Sequence, residues 1–398
     1  MKRNIKLAGL VAGVSLAAVV AGALVAAQQT PTLASASGDG VRPMDSVSKP
    51  AGTTPSTTPS RPPGTTPTAS TTPSAPSGPV KLKLDLTKLR QGAAPATAYV
   101  DGRTVHLGKT NFTLPAADGP VWDVVRSGAD SALVLHSPKD DGRAVLTTWS
   151  GGSRGETVND VSSVLASADR TTSAYAVQPT NAEGTELPRF TLTWRDPSGE
   201  KYSLQRAGEH GPIIHAVQGS EVYFSALSKT SKQTLYRWTA GDAAPTPINA
   251  VPSPSAVSSD LKLAASIVSV ADDGSCTALI ELASAKKRWQ TCTYAVDELR
   301  AKGDFALGGP AYRDGYGDGL FAALDVKTGK AVREWSGGSA VAIISTTLED
   351  ADHILVLAEQ GGKTALARCA PRTGNCELAA PLKNGTGDEN NRPYQLGH

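Results

Sequence analysis

The sequence predicts an all-β protein whose folded part is a seven-bladed β-propeller, and three observations carry that prediction. An apolar run, a polar turn and a second apolar run recur about every 44 residues. The first unit is one strand short, while an unpartnered run closes the chain. The composition, with 39 Gly, 27 Pro and 5% aromatic residues, suits short strands joined by turns.

The chain opens with a basic hexapeptide, "MKRNIK", followed by 21 uncharged and mostly apolar residues, Leu7 to Ala27. That run fits a secretory signal, since Val25-Ala26-Ala27 and Ala34-Ser35-Ala36 both read as cleavage tripeptides. It is also long enough for an uncleaved spanning helix, which needs about 20 residues. Residues 1–36 are therefore a signal peptide or signal anchor, with the basic end inside and the remainder exported. No Cys directly follows the run, which excludes a lipid-modified cysteine there. Lys2, Arg3 and Lys6 account for more than the net charge of +2, leaving about −1 on the rest. No nucleic-acid surface is expected from such a balance.

Residues 37–83 read as a linker. From Pro50 to Pro79 there are nine Pro, nine Thr and one charged residue, Arg61. Such a segment cannot bury a core and is expected to be disordered but extended. At about 3.1 Å per residue it would reach on the order of 90 Å. A stalk of that kind serves a tethered domain best, so a membrane anchor is preferred over secretion.

The domain proper is expected over 84–398. Its hairpins are "AVLTTWSGGSRGETV", "RFTLTWRDPSGEKYSL", "QTLYRWTAGDAAPTPI", "CTALIELASAKKRWQTC", "LFAALDVKTGKAVREW" and "ALARCAPRTGNCEL". The last residues before their turns are Trp149, Trp194, Trp238, Leu282, Asp325 and Cys369, at intervals of 45, 44, 44, 43 and 44. One period earlier lies "RTVHLGKTNFTLP", a seventh hairpin. Two further strands precede each later hairpin, such as "VWDVV" and "SALVLH" or "AVAIIST" and "HILVLA". Before residue 320 the pattern is less regular, and "DFALGG" supplies one strand there. Four strands per period give a propeller blade. Ahead of "RTVHLG" only "TAYV" is available, and "NNRPYQLGH" at the other end would complete that blade and close the ring. Seven blades follow, with six or eight as the alternatives.

Cys369 and Cys376 flank the turn of one hairpin, and Cys276 and Cys292 flank that of another. Opposed positions on antiparallel strands bring Cβ atoms about 4.5–5.5 Å apart, close to disulfide geometry. Four cysteines allow three pairings; hairpin geometry selects Cys276–Cys292 and Cys369–Cys376, in keeping with an oxidising compartment. Zinc-type spacing and the Cys-x-x-Cys redox pattern are both absent.

"LDVKTGK" at 324–330 looks like the Leu-Asp-x-x-Thr-Gly hairpin of WD40-like and TolB-like propellers, and Trp149, Trp194 and Trp238 occupy the aromatic position that ends a third strand in such blades. The whole arrangement resembles exported WD40-like proteins of actinobacteria, without the Gly-His and regular Trp-Asp pairs of WD40 repeats proper. This resemblance implies a fold and a compartment, not an activity.

Candidate chemistry is sparse. "GGSRG", Gly151 to Gly155, matches a hydrolase elbow in letters, but it is a hairpin turn with no helix behind it. "RDGYGDG" offers a binding loop, with Asp314, Tyr316 and Asp318 as the candidate residues, although its acidic spacing is not that of an EF-hand. His210 and His215 are separated by a turn and do not form a helical metal pair. His106, His136 and His353 sit in or beside strands and read as structural. Asn111 and Asn384 head Asn-x-Thr sequons. No catalytic residue, cofactor or metal site is assigned. The function expected is a non-catalytic binding or scaffold module outside the cytoplasm, engaging another extracytoplasmic protein or a cell-wall component. The alternative is a hydrolase or lyase with its site at the channel mouth.

Overall fold

A computed structural model of the chain describes residues 79–137, 143–300, 303–313, 316–385 and 392–397. The Leu7 to Ala27 segment, the Pro/Thr spacer, Asp314 and His398 lie outside the described residues. Among the described residues, no helix is long and apolar enough to cross a membrane.

Seven sheets stand around one axis, their blade strands antiparallel from innermost to outermost. Every hairpin expected from the repeat is present. The second blade, for example, runs through Val121–Arg126, Ser131–His136, Val145–Ser150 and Ser153–Asn159. Its neighbours follow the same plan, so the innermost strands of blades three to seven are Val161–Ala166, Glu209–Gln218, Pro254–Val257, Tyr294–Leu299 and Val341–Leu348. Tyr294–Leu299 is the strand that the repeat did not reveal: Asp297 and Glu298 interrupt its alternation, and a bulge falls between Val296 and Glu298.

The first blade is closed as expected. Tyr394–Leu396 pairs antiparallel with Tyr99–Asp101, matching Tyr99 to Leu396 and Asp101 to Tyr394. The final strand thus takes the innermost place, with Tyr99–Asp101, Thr104–Leu107 and Thr110–Thr113 following outward in that order.

Each blade is apolar on both faces and buries them only against its neighbours. The result is seven apolar clusters, one at each interface between adjacent blades. At the closing interface Tyr99, Tyr394 and Leu396 pack on Leu355, Leu357 and Leu366 of the seventh blade. Tryptophans on the outer strands link blades by a repeated bond. The indole N–H of Trp194 donates to Gly219 O at 2.8 Å, that of Trp289 to Val326 O at 2.8 Å, and that of Trp335 to Gly374 O at 3.2 Å. The "LDVKTGK" turn is shaped to receive such an indole. Asp325 Oδ1 accepts from the backbone N–H groups of Lys327 and Thr328 and from the Thr328 hydroxyl. Gly329 then has φ +73°, and a Cβ there would fall 2.6 Å from the Trp289 ring.

The repeat gave no sign of one further element. Val80–Lys83, the last residues of the segment assigned to the linker, form a fifth strand parallel to Ala331–Ser336 on the sixth blade. Beyond it Leu84 and Leu86 are buried in the core between blades six and seven. Gly92 N–H then donates to Leu378 O on the seventh blade, and Leu378 N–H donates to Arg90 O. Arg368 completes this strap. Its Nη1 and Nη2 donate to the carbonyls of Ala93 and Ala94 at 3.0 and 2.9 Å, while Nε and Nη2 form a bidentate pair with buried Glu349. Those hydrogen bonds to Glu349 hold the guanidinium charged well above its ordinary range.

Both cysteine pairs form the expected bonds, with Sγ–Sγ distances of 2.00 Å for Cys276–Cys292 and 1.97 Å for Cys369–Cys376. Their short loops limit what they add, about 3 and about 2.5 kcal/mol on a loop-closure account. Reduction should therefore lower the denaturant midpoint and leave a folded ring, as circular dichroism would show. Arg368→Met should cost more, about 3–5 kcal/mol in chemical denaturation, because Glu349 would remain buried without its partner.

Candidate functional site

Strands alternate in direction, so the turns after the first and third strands of every blade come to one face of the ring, and those after the second strand to the other. The predicted binding loop lies on the second-strand face, between Phe305–Pro310 and Leu320–Asp325. It is tied down from within. Asp318 N–H donates to Ile343 O at 2.7 Å and Asp318 O accepts from Ile343 N–H at 2.9 Å, docking the loop on the innermost strand of the seventh blade. The Asp318 carboxylate lies 3.6 Å from Arg313, whose guanidinium also pairs with Asp297. Burial raises the carboxyl groups of both Asp297 and Asp318, with Arg313 opposing that rise. Burial acts against the charge on Arg313, yet Asp297 and Asp318 together hold it above its usual range. Tyr316 is exposed, and its hydroxyl donates to Glu359 across to the seventh blade. The structure thus brings Tyr316 and Asp318 to one loop, with the Asp318 carboxylate engaged in an ion pair.

The opposite face carries an unlike constellation, which residue patterns gave no reason to single out. Arg126 ends the innermost strand of the second blade, Arg170 lies in the turn after the innermost strand of the third, and Arg300 follows that of the sixth. Lys109 occupies the turn after the third strand of the first blade. Arg126, Arg170, Lys109, Gly108, Thr110, Ala96 and Ala129 line a cavity of about 520 Å³. Arg126 and Arg300 both act electrostatically on Arg170, so the blades bring these cations together although they lie far apart in sequence.

Most other titratable groups singled out in the sequence have structural partners. Buried His136 donates from Nδ1 to Asp118 O at 2.7 Å, since a carbonyl can only accept; its Nε2 then accepts from the Thr147 hydroxyl at 2.9 Å. His106 stacks on Tyr99 with ring centroids 4.5 Å apart. His215 lies with Nε2 2.9 Å from Ser225 Oγ. Glu349, Asp350 and His353 form a group with metal-ligand atoms within 4.8 Å of one another. Glu349 is committed to Arg368, however, and His353 Nδ1 to Asp350 at 3.0 Å. Gly151 and Gly152 make the tight turn between Val145–Ser150 and Ser153–Asn159, as the hairpin reading of "GGSRG" required.

Seven blades, six of four strands and one of five, closed by a C-terminal innermost strand and opening at a basic mouth, define a seven-bladed β-propeller. No protein-family model matches the chain, and no curated protein matches it. Several solved structures are similar at low identity. An uncharacterised protein of Listeria monocytogenes EGD-e is similar at 12% identity and TM-score 0.44, over 75% of this chain and 87% of that one. TolB from Acinetobacter baumannii is similar at 12% identity and TM-score 0.39, over 61% and 66%. One of two prolyl endopeptidases is similar at 13% identity and TM-score 0.44, over 70% of this chain; the match spans 51% of that longer protein.

His215 gives this ring a pH dependence. Desolvation of the half-buried imidazole pushes it down from 6.5 to about 4. The unfolded chain therefore takes up the proton first as pH falls. Stability from this group is full above about pH 6.5 and declines towards pH 4. In a His215→Gln variant the slope of unfolding free energy against pH should fall across that window by up to about 1.4 kcal/mol per pH unit, measured by urea denaturation.

Proposed function

We propose that this propeller is a non-catalytic binding module held outside the cytoplasm, tethered by Leu7 to Ala27 and lifted on the Pro/Thr stalk. The observation that carries the proposal is the contrast between its two kinds of polar group. Asp297, Asp318, Glu349, His136 and His215 are engaged inside the fold by Arg313, Arg368, Asp118, Thr147 and Ser225. At the mouth of one face Arg170 and Lys109 instead line an open cavity, beside Arg126, which its own turn holds in place. A rigid ring with its ionisable groups used for structure and a charged mouth left for a ligand suits recognition rather than acid–base chemistry. Two disulfides fit an oxidising compartment. The partner would be another extracytoplasmic protein or a wall component within stalk reach.

Intact mass of the protein recovered separately from membranes and from culture medium tests the tether. The expected species is the full-length chain in the membrane fraction, taking up alkylating reagent at its cysteines only after reduction. A product in the medium beginning at Gln28 or Ser37 would make the protein secreted. Alkylation of four thiols without reduction would overturn the oxidising compartment.

A further inference from the structure

The mouth cavity has a built charge arrangement. Arg126 donates from Nε to Gly128 O at 2.9 Å and from Nη2 to Ala129 O at 2.8 Å, which locks its guanidinium against its own turn. Its Nη1 stays turned towards the neighbouring blade, where a Cβ on Gly108 would lie 3.5 Å away. Lys109 follows at that turn.

Arg170 is held differently. Its backbone has φ +62°, a conformation that costs a residue with a side chain on the order of 1 kcal/mol. Asp169 fixes the turn around it by accepting from Ser167 Oγ at 2.5 Å, Thr171 N at 3.1 Å and Thr171 Oγ1 at 2.8 Å. Arg170 N–H adds a bond to Ser167 O at 2.8 Å. This network positions a half-buried guanidinium that has no hydrogen bond or ion pair among the described residues. Burial, then Arg126, then Arg300 push its pKa down, the mark of a cation among cations. Three carboxylates of this face are engaged elsewhere: Glu298 pairs with Arg300 at 3.3 Å, Glu349 with Arg368, and Asp169 accepts from Ser167 and Thr171.

We propose that this mouth binds the phosphate group of a small phosphorylated ligand, with Arg170, Arg126 and Lys109 as its contacts. The inference rests on the binding-module reading and names the ligand class of that same face. Two arginines and a lysine around one cavity exceed what a single carboxylate neutralises. A phosphomonoester brings about −1.5 to −2 charge at pH 7 and three acceptor oxygens that separate donors can share. The cavity of about 520 Å³ is larger than phosphate alone requires and lies within the range of small-ligand sites, about 300–1,000 Å³. Ala96, Ala129 and the Thr110 side chain add apolar lining for the group that carries the phosphate.

The test is calorimetric titration of the detergent-solubilised full chain with glucose 1-phosphate, inorganic phosphate and acetate. Glucose 1-phosphate should bind more tightly than inorganic phosphate, and acetate should give no measurable heat. Arg170→Gln should weaken binding roughly tenfold to a hundredfold, as loss of one charge-assisted contact predicts, without lowering the melting temperature. Arg126→Gln, read in parallel, should weaken it as well. Absence of phosphate binding, equal binding of acetate, or affinity unchanged in both variants would overturn the assignment. Such a result with a tethered, disulfide-bonded protein would remove this ligand class and leave the binding-module reading in place. Hydrolysis of the phosphate ester would do the reverse, keeping the site and removing the non-catalytic reading.

Discussion

Three residues hold the ring shut. A propeller blade cannot bury its apolar faces alone, so its stability depends on having a neighbour on each side. With seven blades there are seven such interfaces only if the last meets the first, and that meeting is made by Tyr394–Leu396 beside Tyr99–Asp101. Were that strand absent, Leu355, Leu357 and Leu366 would lose the Tyr394 and Leu396 side chains they pack against. The seam also sets the site. The arginines meet because the second, third and sixth blades face a common axis, and only a closed ring fixes that axis.

Much of this was legible in the sequence because propeller repeats write their hairpins locally. Trp149, Trp194 and Trp238 mark strand ends at intervals of 45 and 44 residues, and the indole of Trp194 lodges against Gly219 in a turn of the next blade. Both disulfides followed from the same hairpins. The short first unit and the leftover "PYQL" run together foretold the seam. Two elements escaped. Tyr294–Leu299 carries Asp297 and Glu298, which pair with Arg313 and Arg300 and break the alternation of a half-buried strand. Val80–Lys83 pairs with a strand some 250 residues away in the chain, and the alternation of four residues is too short a signal to announce such a partner.

The candidate site was almost illegible, for a physical reason. Gly-rich loops and sequons are local patterns, so "RDGYGDG" drew notice, yet its Asp318 serves to pin a loop to the seventh blade. Arg126, Arg170 and Arg300 each end or follow an innermost strand, a position that only the folded repeat defines. One clue was available in the ends of the first strands: Arg126 closes one, Arg300 directly follows another, and Arg170 lies four residues beyond a third.

The N-terminal strap decides where force enters the molecule. A pull on residue 79 reaches the ring at the outer rim of the sixth blade, along hydrogen bonds to Ala331–Ser336. It is then shared with the seventh blade through Leu86, Gly92 and the Arg368 clamp before it can reach Tyr99. The load path therefore spreads over two complete blades, one of them cross-linked at Cys369–Cys376, ahead of the three-residue seam. A ring towed from this point transmits strain to its most redundant part first, and its thinnest joint stays slack.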